Sequence, residues 1–287
     1  MSSQSVVERV KQKPRGPDFI VIGARRSGTS WLYFVLKRHS RLWLPPIKEI
    51  HHFDKMNGHA SDDPDRRLRT LRAGKLMLNL WMFRYFIGER NDDWYASLFH
   101  KAQLRGRIAG EITPAYATLD EQMFQRMRRV NESVRLVFIM RDPIDRAWSA
   151  VTNAFKNRPG WGPLTVAKAL ARAQRPSSMA RAMYTDIIAR LEAVFPASQL
   201  HFCFYDDLRD RPETLVAHIL SFLGVDPVEA KNILLASKIN SSSGAGVMPV
   251  EFQREMAKAY LPMVRVLCQR FEGAPQKWLA RYEQLAG

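Results

Sequence analysis

Asp18 to Leu36 reads DFIVIGARRSGTSWLYFVL. Phe19 to Ile22 is a short apolar strand, a turn begins at Gly23, and a helix opens near Gly28. The turn, Gly23 to Ser30, keeps both glycines of a P-loop, but Thr29 stands where the phosphate-binding lysine belongs. Glycines let a backbone wrap an anion, and the helix N-terminus adds unpaired N–H groups and the positive end of its dipole. The stretch therefore reads as a cradle for a phosphate-like group, poorly suited to the γ-phosphate and Mg²⁺ of a nucleoside triphosphate. A tight strand-to-helix turn without a ligand has the same glycines, so the rest of the chain has to decide.

Working outward, apolar strands alternate with helical stretches. Ile108 to Ile112 is a strand stopped near Pro114. Val134 to Met140, VRLVFIM, is the near-continuous apolar run of a strand buried on both faces. Leu200 to Tyr205 is a third such run, and Leu42 to Leu44 is a short extended piece before two prolines. Helices are expected over 120–130, over most of 167–195 with a break near Pro176, over 212–223 with a glycine stop at Gly224, and twice at the C-terminus. This order predicts an α/β, P-loop-type three-layer fold, a central parallel sheet flanked by helices. Residues 1–17 read as a flexible tail and 18–287 as a single domain, with 55–107 a helical insertion. The dense aromatics of Leu76 to Ile87 read as core at helical spacing, with a wall of a substrate pocket as the alternative.

With 287 residues, 46% of them hydrophobic, the chain can bury a substantial core. Its formal net charge of +16 calls for an anionic partner, and a charged nucleotide, a polyanionic sugar or an acidic surface would all fit. The arginines are scattered, with no basic block interleaved with aromatics, so nucleic acid is not indicated. Cys203 and Cys268 make neither a metal spacing nor a disulfide framework. No signal peptide opens the sequence and Leu76 to Ile87 is too short to span a bilayer, so the chain reads as cytoplasmic with no membrane span.

Two further constellations carry chemistry. Arg141-Asp142-Pro143-Ile144-Asp145-Arg146-Ala147-Trp148-Ser149 follows directly on a strand, at the edge where open α/β sheets bind ligands. Asp142, Asp145, Arg146 and Ser149 share one helical face by spacing; Arg141 with Ser149 is a donor set for a phosphate. An Asp-Pro helix cap with an exposed ion pair would need the same residues. Lys48-Glu49-Ile50-His51-His52-Phe53-Asp54 places a carboxylate beside a lysine and two histidines, a composition suited to a general base facing a hydroxyl. Adjacent histidines in an extended segment point opposite ways, which argues against a metal site.

These motifs together resemble sulfotransferases that use 3′-phosphoadenosine 5′-phosphosulfate (PAPS). GARRSGTSWLY is similar to their 5′-phosphosulfate loop, with Arg26 where many members have lysine. RLVFIMRDPIDRAWS is similar to their 3′-phosphate-binding strand and helix. KEIHHFD looks like the Lys-Glu-x-His-Phe-Phe-Asp segment of bacterial and heparan-modifying members, with His52 replacing the first phenylalanine. Gly110 to Tyr116 is similar to their Gly-Glu-Lys-Thr/Ser-Pro-Ala-Tyr segment, with Ile112 in place of the lysine. The resemblance covers about residues 18–54 and 108–270, and only weakly the basic glycine loop at Asn240 to Gly246.

The resemblance implies the following. Arg26, Ser27, Gly28, Thr29, Ser30 and Trp31 bind the 5′-phosphosulfate; Arg141 and Ser149 bind the 3′-phosphate. Glu49 is the catalytic base, with Arg26 and His51 in catalysis and Lys48, His52, Asp54 and Glu111 toward the acceptor. Glu111 is expected to contact Arg26, to act near the sulfate, or to be a structural ion-pair partner. The acceptor is a hydroxylated small molecule, lipid or glycan, the insertion 55–107 forms much of its side, the product is 3′-phosphoadenosine 5′-phosphate (PAP), and no metal is required. A P-loop nucleotide kinase and a non-catalytic basic polyanion-binding protein are the alternatives on the residues alone.

Overall fold

The first strand, β1 (Phe19–Gly23), is buried along its whole length. Strand alternation sends its side chains to two different cores: Ile20 and Ile22 to one, Phe19 and Val21 to the other. That division makes the molecule three-layered. The computed structural model describes residues 13–54, 79–87, 89–228 and 247–286.

Beside β1 lie β2 (Leu42–Trp43), β3 (Ile108–Ile112), β4 (Arg135–Met140) and β5 (Leu200–Phe204). The sheet order is β2-β3-β1-β4-β5, and every pairing is parallel. The chain leaves the central strand for one side of the sheet and returns to build the other. A crevice opens at the carboxyl ends of the strands where the winding reverses.

The helices are α1 (Thr29–Leu36), α2 (Asn79–Ile87), α3 (Asp92–Leu104), α4 (Glu121–Val130), α5 (Pro143–Lys156) and α6 (Val166–Ala173). Then come α7 (Pro176–Met179), α8 (Tyr184–Glu192), α9 (Tyr205–Asp210), α10 (Pro212–Phe222), α11 (Val250–Arg270) and α12 (Ala274–Ala286). α1 and α10 pack on the face of Phe19, Val21, Val137 and Ile139. α3, α4, α5, α8, α11 and α12 cover the face of Ile20, Ile22, Leu136 and Phe138. Gly110 in β3 is required by packing, because a Cβ there would strike the Phe19 ring.

The expected strands and the glycine stop are all present, with Gly224 in the left-handed region after α10 (φ 74°). Of the aromatic stretch before α3, Met82 and Tyr85 are buried in the core and Trp81 stacks on Tyr85, the core reading of that segment. α3 packs on β3 through Tyr95 and Phe99, which ties the end of the 55–107 segment to the sheet. Residues 1–12 of the expected 1–17 tail, the arginine-rich part of the insertion (55–78) and the Asn240 to Gly246 loop lie outside the described residues. Gly16 and Pro17, at the end of that tail, are instead buried: the Gly16 N–H donates to Val130 O, and Pro17 O accepts from the Asn131 side chain. Among the described residues no helix is long and apolar enough to cross a membrane.

Candidate active site

The site is built from three loops at the carboxyl end of the sheet. At the end of β1 the pairing with β4 shifts register between Val21 and Gly23, the Ala24 N–H donates to Ile139 O at 2.7 Å, and the chain then turns sharply. Arg26 and Gly28 both take left-handed conformations, φ 73° and 77°. A side chain at Gly28 would put its Cβ 2.6 Å from Leu208 Cδ1, so both conformation and space demand glycine. α1 begins at once and has no side-chain cap, which leaves its first N–H groups to an outside acceptor. The Ser27 hydroxyl beside it is fully buried without a partner.

The second loop joins β4 to α5. Asp142 caps the helix, accepting from the Ile144 and Asp145 N–H groups at 2.8 and 3.2 Å. Tyr282 donates to the same carboxylate at 2.8 Å, and Arg281 pairs with both Asp142 and Asp145. Burial, helped by Asp145 and opposed by Arg281, pushes the Asp142 carboxyl up to about 6. The shared face expected for Asp142, Asp145, Arg146 and Ser149 is thus divided: the two acids turn to α12, while Arg146 and Ser149 line the crevice. The reason is that Asp142 sits at the cap, outside the helical repeat, and Arg281 draws Asp145 to it.

Arg141 and Arg26 meet across these loops. Arg141 donates to the Arg26 carbonyl at 2.8 Å and its guanidinium lies over the Tyr205 ring, 4.5 Å from the centroid. Its Nε is buried and unpartnered. Arg26 Nε donates to Ser149 Oγ at 3.0 Å, bridging the P-loop-like turn to α5. Burial and then the nearby Arg141 and Arg25 charges lower the Arg26 pKa.

The third loop carries Glu49. It is fastened by Tyr33, which donates to Pro45 O at 2.6 Å, and by the Glu49 N–H donating to Ile112 O and the His52 N–H to Tyr116 Oη. Glu49 and His51 both have positive φ, 64° and 57°, so the segment is coiled, not extended. Lys48 Nζ lies 2.5 Å from Glu49 Oε1, and His51 bridges Glu49 Oε2 at 3.3 Å and Asp54 Oδ2 at 2.7 Å. Burial alone would raise the Glu49 pKa, but the His51 and Lys48 hydrogen bonds outweigh it and hold the carboxyl at about 2. Burial likewise disfavours a charged His51, yet Asp54 and Glu49 raise it to about 9, so it is an imidazolium at neutral pH.

The two histidines part company, as the sequence implied, though through left-handed turns and not strand alternation. His52 points into the protein, its ring stacked on Tyr95 at 4.4 Å and its Nε2 2.8 Å from Asp92. Glu111 is also buried, 1% exposed, and accepts from Tyr95, Thr113 and Tyr116. Burial raises its pKa against those three donors. The expected contact with Arg26, and the ion-pair role, are corrected here: Glu111 faces hydroxyls behind the Glu49 loop. Of the residues expected toward the acceptor, Lys48 lines the crevice and His52, Asp54 and Glu111 do not. The left-handed turns at Glu49 and His51 carry His52 and Asp54 away from it, and Glu111, on β3, is held by Tyr95, Thr113 and Tyr116.

The crevice encloses about 690 Å³, the size of a small-molecule site. Among the described residues, Lys48 and seven arginines line it against one carboxylate, Glu49. Arg25, Arg38, Arg146, Arg172 and Arg181 join the expected Arg26 and Arg141 there. Arg25 and Arg146 lie within the quoted motifs without an assigned role, whereas no motif marks Arg38, Arg172 and Arg181, which come from separate elements.

Residues 17–229, well over half of the chain, match the sequence pattern of the sulfotransferase family. This chain belongs to the sulfotransferase family. The membrane-associated sulfotransferase kil1 of Dictyostelium discoideum is 25% identical over 133 residues, which cover 46% of this chain and 22% of that protein. Among solved structures, the sulfotransferase of Alicyclobacillus acidocaldarius superposes with a TM-score of 0.58 at 20% identity, covering 91% of this chain and 98% of that one. Mouse sulfotransferase SULT7A1 complexed with PAP superposes at 0.54 and 12% identity, covering 96% and 93%. At these identities the sulfotransferase structures speak for the shared α/β fold, into which the parallel sheet and its flanking helices fit.

Proposed function

We propose that this protein transfers the sulfuryl group of PAPS to a hydroxyl or amine of an acceptor, leaving PAP. The observation that carries the reading is the convergence of Arg26, Glu49, Arg141 and Ser149 on one crevice at the carboxyl ends of the strands. Residues fit an anionic nucleotide there: the Ser27 hydroxyl and Arg141 Nε are buried donors without partners, and α1 is uncapped. When bound, PAPS supplies an activated sulfuryl group and a phosphate leaving group.

The backbone N–H groups of residues 27–31 and the Arg26 guanidinium hold the 5′-phosphosulfate, while Arg141 and Ser149 hold the 3′-phosphate. Arg26 stands where charge grows on the leaving phosphate, and fixed donors of this kind supply much of the catalysis in such transfers. Glu49, ionised at every working pH, accepts the hydrogen bond of the acceptor hydroxyl and then its proton. A carboxyl held at about 2 is a weak base, so proton uptake requires Lys48 or His51 to loosen its hold. Lys48, on the crevice wall, is placed to do so.

Thermal denaturation with PAP and with ATP–Mg²⁺ tests the reading. A ligand at about 100 times its Kd adds about 2.7 kcal/mol, roughly 4–5 °C for a domain of this size. PAP should give that shift and ATP–Mg²⁺ a much smaller one. Greater stabilisation by ATP–Mg²⁺ would overturn the assignment in favour of a nucleotide kinase.

A further inference from the structure

Besides Arg38, four arginines of the crevice have no part in the donor cradle. Arg146 lies one turn before Ser149 on α5, Arg172 is on α6, Arg181 follows α7, and Arg25 precedes the cradle arginine. Arg146 is 1% exposed; one of its terminal nitrogens donates to Ser178 O at 3.0 Å, and its Nε is buried with no partner. Arg172 lies over the Trp161 ring, 5.0 Å from the centroid, beside Arg158 on the same ring. Arg181 donates to Ser177 O at 2.9 Å. Among the described residues none of the four is paired with a carboxylate.

Their charges crowd one another. After burial, Arg25, Arg146 and Arg172 are the charges that lower Arg181. Arg25 also lies within electrostatic reach of Glu49 and of Arg26. A guanidinium has no acceptor atoms and stays charged throughout the working pH range, so an anion is needed to relieve this crowding, and among the described residues no free carboxylate supplies it. Glu49, the one acid on the crevice wall among the described residues, is already held by Lys48 and His51.

We infer that Arg25, Arg146, Arg172 and Arg181 form a second anion subsite, which binds a carboxylate, phosphate or sulfate group carried by the acceptor. The inference rests on the proposed reading that Arg26, Arg141 and Ser149 hold the donor nucleotide, and it names the acceptor's chemical class. An acceptor with its hydroxyl at Glu49 meets Arg25 first, and its remaining body extends along the arginine-lined wall toward Arg181. A planar guanidinium fork pairs with such groups in bidentate fashion, which selects them over a neutral surface.

The test uses a matched pair of probes, 6-hydroxy-2-naphthoate and its neutral methyl ester, titrated calorimetrically into the full chain saturated with PAP. The wild type is expected to bind the acid at least tenfold more tightly than the ester. The double variant R172Q/R181Q, at two half-exposed positions that leave the core intact, should reduce that preference to twofold or less and keep PAP affinity within threefold. The lysine variant R172K/R181K, which keeps the charge, should recover part of the preference. Equal binding of acid and ester by the wild type, binding of neither, or a preference unchanged in R172Q/R181Q overturns the subsite. A tenfold or greater loss of PAP affinity in R172Q/R181Q also overturns it, by giving these arginines to the donor. Failure of the wild type to bind PAP at all sinks the donor reading instead.

Discussion

Replacing His51 with glutamine removes the cation that joins Glu49 to Asp54, and the cost should depend on pH in a set way. His51 titrates near 6.5 in an unfolded chain and is raised to about 9 here by its two carboxylate partners, against the opposing effect of burial. A base whose folded pKa is raised stabilises the fold fully below its unfolded value and loses that contribution as pH climbs through the folded one. Integrating proton uptake between the two values gives about 3 kcal/mol at pH 6, about 1.5 kcal/mol at pH 8 and almost nothing at pH 10. The side chain is only 17% exposed, so solvent screening removes little of this. Urea unfolding of the wild type and H51Q at the three pH values measures the difference, with other titrating groups common to both proteins. The gap should close steadily from pH 6 to pH 10, and the His51 imidazole should titrate near 9 by nuclear magnetic resonance. A gap independent of pH, or an imidazole titrating near 6.5, would refute the charged bridge.

Four other substitutions separate roles within the site. Glu49→Gln should lower kcat by about 10²–10⁴ with PAP affinity within threefold, whereas Arg141→Ala should mainly weaken PAP binding; calorimetry and steady-state kinetics with any accepted hydroxyl compound distinguish them. Gly28→Ala forces a Cβ into Leu208 in a left-handed conformation; it should cost about 1–3 kcal/mol of stability and reduce PAP affinity, read by denaturation and calorimetry. Glu111→Gln sets an amide N–H₂ against hydroxyl donors that a carboxylate satisfied; urea unfolding should show a loss of about 1–3 kcal/mol, smaller than a full charged network would give because burial already penalises the ionised form.

Much of the fold and the core of the site were legible because their signals are local. A strand buried on both faces, such as Leu136 to Met140, must be nearly all apolar, and a glycine forced into a left-handed turn, such as Gly28, has few substitutes. Arg141 and Ser149 could be placed because a strand end and one helical repeat fix their spacing. The side-chain roles of Glu111 and His52 were not legible, since they depend on Tyr95 and Asp92 from α3, a helix distant in sequence. The arginine wall was hidden for the same reason: Arg146, Arg172 and Arg181 become neighbours only when α5, α6 and the segment after α7 pack together. Nor does any local pattern predict positive φ at Glu49 and His51, which the anchors at Ile112 and Tyr116 impose from outside the segment.

Those two left-handed residues and the unpaired arginines share one physical setting. A left-handed non-glycine residue costs free energy, and so does a guanidinium without an anion; a fold keeps either only where its surroundings enforce it. Here the enforcing contacts are permanent: Ile112 and Tyr116 under the loop, the helix cap at Asp142 and its lock at Arg281 and Tyr282. The charge opposing the arginines is sparse: among the described residues Glu49 is the one acid that lines the crevice, and it is already engaged. Among the described residues, the crevice therefore holds positive charge that no facing carboxylate other than Glu49 offsets. Anionic ligands should consequently stabilise this chain more than their contact area alone would, and added salt should weaken both their binding and that stabilisation.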